Sequence, residues 1–124
     1  MACASTAIDL VIGRIIDPLA AAHPNTPVAT ALRVALARGA WAIPVIHNGT
    51  QVGSVDVATL ESLAEEHGAL LVGEVLEGPL PEVDERAPAL EVADLLERHP
   101  AVVVTRAGFA LGLLTAEDLL REHP

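Results

Sequence analysis

The chain has 124 residues, 52% of them hydrophobic, and a formal net charge of −10, which gives room for one compact domain or two half-size units sharing a core. Seventeen acidic residues stand against seven basic ones, all Arg, so neither a phosphate backbone nor an anionic membrane meets the clustered cations it needs. The missing Lys excludes a P-loop and Schiff-base catalysis, and the lone cysteine, Cys3, excludes an intrachain disulfide and a CxxC metal site.

The start, Met1 to Asp9, lacks a basic region, and Asp9 interrupts its apolar run, so it reads poorly as a signal peptide. No apolar stretch approaches the roughly 20 residues of a membrane span, and a cytoplasmic protein is expected. With Trp41 and Phe109 as the only aromatics and no Tyr, the core must come from Val, Leu, Ile and Ala. Thr26 as N-cap and Pro27 as first helical residue predict a helix ending at Gly39, with Val28, Ala31, Leu32, Ala35 and Leu36 on one face. Trp41, beside the strand that follows, is expected in the core, with a ligand pocket or dimer contact as its other roles. Ile43 to Ile46 and Gln51 to Val55 flank Asn48-Gly49, a strong hairpin signal. A helix from Thr59 to about Glu66 comes next, and His67 before Gly68 suits its C-terminus. In the second half, Pro88 opens a helix carrying Leu90, Ala93 and Leu96 and closing before Pro100. Ala101 to Val104, the Arg106-Ala107-Gly108 turn and Ala110 to Leu114 then form a second hairpin, leading to a helix from Asp118 to about Glu122.

The two halves are copies. Val11 to Leu19 returns as Leu71 to Leu80, Thr26 to Leu36 as Ala87 to Glu97, Ile43 to Ile46 as Ala101 to Val104, and Gln51 to Leu60 as Ala110 to Leu119. The order is kept, and the offset narrows across a small deletion near Arg98-His99-Pro100. Each copy reads as helix, strand, strand, helix after a lead-in, an α/β (α+β) unit whose sheet one copy alone cannot cover.

From about Ile8 to Leu120 the arrangement resembles a tandem pair of CBS domains, a Bateman module. The carrying residues are Ile43-Pro44-Val45-Ile46, Val52-Gly53-Ser54-Val55, Ala101-Val102-Val103-Val104 and the string Leu111-Gly112-Leu113-Leu114-Thr115-Ala116-Glu117-Asp118-Leu119-Leu120, the last similar to the family's Gly-x-x-Thr-x-x-Asp signature. The resemblance places the first repeat at 8–67 and the second at 68–124. It implies a non-catalytic regulatory module that binds AMP, ADP, ATP or S-adenosylmethionine between the repeats, requires no cofactor, forms a homodimer and signals to a separate partner. It also implies that Asp118 accepts from ribose hydroxyls with Thr115 beside it, a task suited to a carboxylate.

The first copy departs from this pattern, with Asp56 where the Thr belongs and Thr59 where the Asp belongs. The family's hydroxyl residue ahead of each copy's first strand is replaced by Ala21 and Glu82. At most one good site per chain is therefore expected, the one using Asp118, favouring a ligand of low negative charge, with Arg106 and Arg121 as the nearest phosphate contacts. The bland reading makes Thr115 and Asp56 helix N-caps, Asp118 completing something close to a capping box. The acidic runs around Glu61 to Glu66 and Glu82 to Glu85 read as solvated faces. His23, His47, His67, His99 and His123 match no metal-ligand spacing. No nucleophile–base pair can be assembled, Cys3 included, so an enzyme ranks last. A dimeric interaction or scaffold protein that has lost its ligand is the alternative. Met1 at the start and a second copy ending with the chain favour a stand-alone protein.

Overall fold

In the computed structural model, residues 6–7 and 21–118 are described. They fall into two compact units, one within Ala20–Leu80 and the other from Pro81 onward with the N-terminal Thr6 and Ala7. In chain order the first unit contains α1 (Val28–Arg38), β1 (Ala42–His47), β2 (Thr50–Asp56), α2 (Val57–His67) and a 3-10 turn (Val72–Glu74). The second contains β3 (Glu82–Asp84), α3 (Ala89–Leu96), β4 (Val102–Arg106) and β5 (Phe109–Leu114), and the chain is helical again from Ala116 to Asp118. The expected mixed α+β architecture is present.

In the first unit β1 and β2 pair antiparallel, with Ala42 opposite Asp56 and His47 opposite Thr50. Ala22 adds a parallel bridge to Val45, its N–H donating to the Pro44 carbonyl while its carbonyl accepts from Ile46 N–H. In the second unit the sheet order is β3-β4-β5, with β3 parallel and β5 antiparallel to β4. The hairpins are equivalent in detail. Both slip register at the same point, after Val45 and after Val104, leaving Val52 and Leu111 as the extra residues of a bulge. Both turn through two residues of positive φ, Asn48 (53°) and Gly49 (81°), then Ala107 (52°) and Gly108 (85°). That is the I′ geometry matching strand twist. Asn tolerates it better than Ala, whose Cβ crowds the carbonyl in the left-handed region.

The first helix differs from expectation at both ends of its apolar face. Pro27 is the N-cap rather than the first helical residue, and Thr26 Oγ1 instead accepts from His23 N–H at 2.9 Å. Gly39 (φ 72°) ends the helix as expected, its N–H donating to Ala35 and Leu36 carbonyls. Val28, Ala31 and Ala35 are fully buried, whereas Leu36 is exposed. In α3 the face is rotated: Val92 is buried while Leu90 is 83% exposed. The small deletion appears as a shorter helix, eight residues in α3 against eleven in α1. Trp41 is 75% exposed, not core; its carbonyl, accepting from Val57 N–H, is what ties this position in.

Each core is aliphatic. Ile43, Val45, Val55, Leu60 and Val72 are fully buried in the first unit. In the second, Ala7, Val83, Val92, Val102, Val104 and Leu114 form one cluster with Leu95 and Leu96 against it. Residues 70–80, which the sequence match assigns to the second copy, are bonded into the first unit. Val72 N–H donates to Thr26, Gly73 N–H to Pro24, and Val28 N–H to Leu70. In the second unit the counterpart of the Val72 bond is made by Ala7, donating to the Ala87 carbonyl at 2.8 Å. The sequence match had aligned Ile12 with Val72; residues 8–20 lie outside the described residues. Among those described, no helix is long and apolar enough to cross a membrane.

Candidate ligand-binding site

The signature residues sit where β5 hands over to the helix beginning at Ala116. A helix start leaves amides without intrahelical partners, and Thr115, the N-cap position, has one of them. Asp118, three residues on, reaches back with Oδ2 to accept from the Thr115 N–H at 2.7 Å and from its hydroxyl at 3.3 Å. Thr115 is 5% and Asp118 4% exposed. This is half of a capping box with Asp in place of Glu, and the Asp118 N–H bonds the Thr115 carbonyl rather than its hydroxyl. The helix thus starts at Ala116, before Asp118; its expected end near Glu122 lies outside the described residues, as does Arg121.

The first unit uses the same two residue types in reverse. Asp56 is the N-cap of α2, and its Oδ1 accepts from Thr59 N–H at 2.7 Å. The Thr59 amide holds the Asp56 carboxyl below the usual aspartate range. The Asp56 N–H donates in turn to Glu77 Oε1 at 3.1 Å. Glu77 belongs to a strap that closes the open edge of β2: its backbone exchanges both bonds with Ser54, Ser54 Oγ donates to the Gly78 carbonyl at 2.6 Å, and the Gln51 amide bonds both polar atoms of the Leu80 backbone. Gly53 permits the approach, since a Cβ there would lie 2.8 Å from the Glu77 carbonyl oxygen. The strap carried no sequence signal beyond the Gly53 position, because its bonds are mostly backbone.

Glu82 is exposed at the start of β3, opposite Val103, which is itself opposite Leu113. It therefore shares the sheet end from which Thr115 departs, two strand spacings or about 10 Å from Leu113, with Thr115 two residues further on. Arg106 is at the other end. Four residues along β4 separate it from Val102, the partner of Leu114, a span of about 13 Å. Its guanidinium is committed to Glu85, with Nη2–Oε1 at 2.9 Å and Nε–Oε2 at 2.5 Å. The Arg106 hydrogen bond holds the Glu85 carboxyl low and the guanidinium high. The structure thus brings Thr115 and Asp118 together, and Asp56 and Thr59 together, but leaves Arg106 apart from the former pair. No group of three or more His, Cys, Asp or Glu among the described residues is arranged to hold a metal ion.

The CBS domain family model matches residues 72–124. No curated protein sequence matches the chain. Among solved structures, the chain is similar to the CBS-pair protein CBSX2 from Arabidopsis thaliana, with 22% identity and a TM-score of 0.80 over 97% of this chain and 94% of that one. It is similar to CBSX2 in complex with AMP, with 23% identity and a TM-score of 0.71 over 95% of each chain. It is also similar to CbpB in complex with c-di-AMP, with 14% identity and a TM-score of 0.65 over 86% of this chain and 77% of that one. Residues 72–124 are thus similar to the CBS domain family, and nearly the whole length of the chain has the fold of a CBS-pair protein.

Proposed function

We propose that this protein is a non-catalytic regulatory module that binds one adenosine-containing ligand per chain and passes the bound state to a partner. The carrying observation is the buried Asp118 carboxylate, fixed by Thr115 at a helix start. A carboxylate is an acceptor-only group with two oxygens, the chemistry that suits the paired hydroxyls of a ribose. Two proteins of the same fold were solved with adenine nucleotides, AMP and c-di-AMP, which supports this ligand class. In the first unit Asp56 is committed to Thr59 and its amide to Glu77, so a second equivalent site is not proposed. Those same departures favour the second reading, a homodimeric scaffold of this fold without a ligand.

Thermal unfolding with AMP, ADP, ATP and S-adenosylmethionine separates the two. A ligand at a hundredfold excess over its Kd adds about 2.7 kcal/mol, a shift of several degrees. The shift is expected for wild type and lost in Asp118→Ala and in Asp118→Asn, the latter retaining an acceptor for the Thr115 amide. No shift with any of the four favours the scaffold.

A further inference from the structure

The two hairpin turns share their backbone and differ in one side chain that changes what they can undergo. Each passes through two residues of positive φ and ends on glycine, but the first turn residue is Asn48 in one unit and Ala107 in the other. Asn48 is exposed and Gly49 half-buried. Among the described residues, neither the Asn48 side-chain amide nor the Gly49 N–H takes part in a hydrogen bond. The groups on either side are held. Thr50 Oγ1 donates to the His47 carbonyl at 3.1 Å, and His47 Nδ1 lies 3.3 Å from His23 Nε2.

An asparagine followed by glycine carries its own reaction. The glycine nitrogen, on giving up its proton, attacks the asparagine Cγ. A new C–N bond closes a five-membered succinimide, the Cγ–Nδ2 bond breaks, and ammonia leaves with the proton. Water then opens the ring at one of its two carbonyls, giving aspartate or, where the main chain now runs through the side chain, isoaspartate. Glycine has no Cβ to hinder the attacking nitrogen. The chain contains one other Asn and one Gln, and both are placed otherwise. Asn25 precedes the β-branched Thr26, whose N–H donates to the His23 carbonyl at 2.9 Å. The Gln51 amide bonds the Leu80 backbone through both its polar atoms.

We propose that Asn48 is a self-modification site, converting through a succinimide to aspartate and isoaspartate, and that this change is confined to the first unit's hairpin. In a I′ turn the first turn residue has ψ of about 30°, which swings the Gly49 nitrogen away from the Asn48 side chain. The ring therefore closes from an opened turn, and the rate reads how often the hairpin tip opens. Either product adds a negative charge next to His47. Isoaspartate also lengthens the backbone by one methylene, inside a two-residue loop that sets the β1–β2 register with His47 opposite Thr50. The Ala107–Gly108 turn offers no amide to react, so the β4–β5 pairing keeps its register.

The test incubates the full chain at about pH 8 and 37 °C and follows each amide by peptide mass mapping, with isoaspartate told from aspartate by labelling with an isoaspartyl methyltransferase. The amide-to-acid mass gain should accumulate at Asn48, isoaspartate included, and not at Asn25 or Gln51. It should run about tenfold slower than in the same chain unfolded in guanidinium chloride, the factor for a tip that opens at a cost of about 1.4 kcal/mol. Asn48→Ala should abolish it, and Ala107→Asn should add a second reacting turn. The modified fraction, separated by its extra charge, should show amide shifts at 46–51 and at His23 while sparing 105–110. No mass gain at Asn48 in the folded chain, an equal gain at Asn25, or an Ala107→Asn turn that stays inert while Asn48 reacts overturns the proposal. Equal rates in the folded and unfolded chains overturn the opened-turn route.

Discussion

The helices that follow the two hairpins begin on the same backbone geometry with their chemistry exchanged. At α2 the carboxylate is on the N-cap and reaches forward, Asp56 to Thr59 N–H; at Ala116 it is on the third helical residue and reaches back, Asp118 to Thr115 N–H. Either arrangement satisfies one orphan amide, so the fold tolerates the swap. What it changes is the remaining N-cap amide. Asp118 serves that of Thr115 from within the helix, while that of Asp56 depends on Glu77, 21 residues away on the strap. An exchange of two residues thus turns a local cap into one completed by distant chain, and it moves the carboxylate by about one helical turn.

Removing each carboxylate tests this comparison most strongly. Asp118→Ala leaves the buried Thr115 amide without its acceptor and should cost about 2 kcal/mol in urea unfolding. Asp56→Ala removes a more open N-cap and should cost about 1 kcal/mol. Equal losses would mean that the two caps are energetically interchangeable and that burial of the Asp118 group adds nothing.

Acid should sharpen the contrast with a smaller effect. The Asp56 carboxyl is held low by the Thr59 amide, so its cap is present above the ordinary aspartate range and is lost as pH falls through the depressed folded-state value. Asp56→Asn keeps the cap without the titration. Wild type should therefore lose more stability than Asp56→Asn between pH 5 and 2, measured as urea midpoints; parallel curves would contradict the assignment.

The smallest effect concerns the hairpin turns, which share geometry but not sequence. Ala107 holds φ at 52° where its counterpart Asn48 holds 53°. Ala107→Asn should stabilise by about 0.5 kcal/mol and Asn48→Ala destabilise by a similar amount. If Ala107→Asn is neutral, the second turn is not strained in solution.

The sequence alone determined the repeated elements, because apolar periodicity, Pro at helix starts and Gly at turns are local signals acting over a few residues. Ile43 to Ile46, Ala101 to Val104, the Gly39 stop and both turns were legible for that reason, as was the capping role of Asp56. Tertiary structure decided which faces those elements bury: Trp41 and Leu90 are exposed, although periodicity or apolar character suggested the core. It also decided that Glu77 and Gly78 close the β2 edge, that Arg106 pairs with Glu85 at the sheet end remote from Thr115, and that His23 meets His47. These contacts join residues 20 or more positions apart, or depend on backbone groups that every residue carries. No short-range pattern marks them, and they arise only when pairing of the strands brings the segments together.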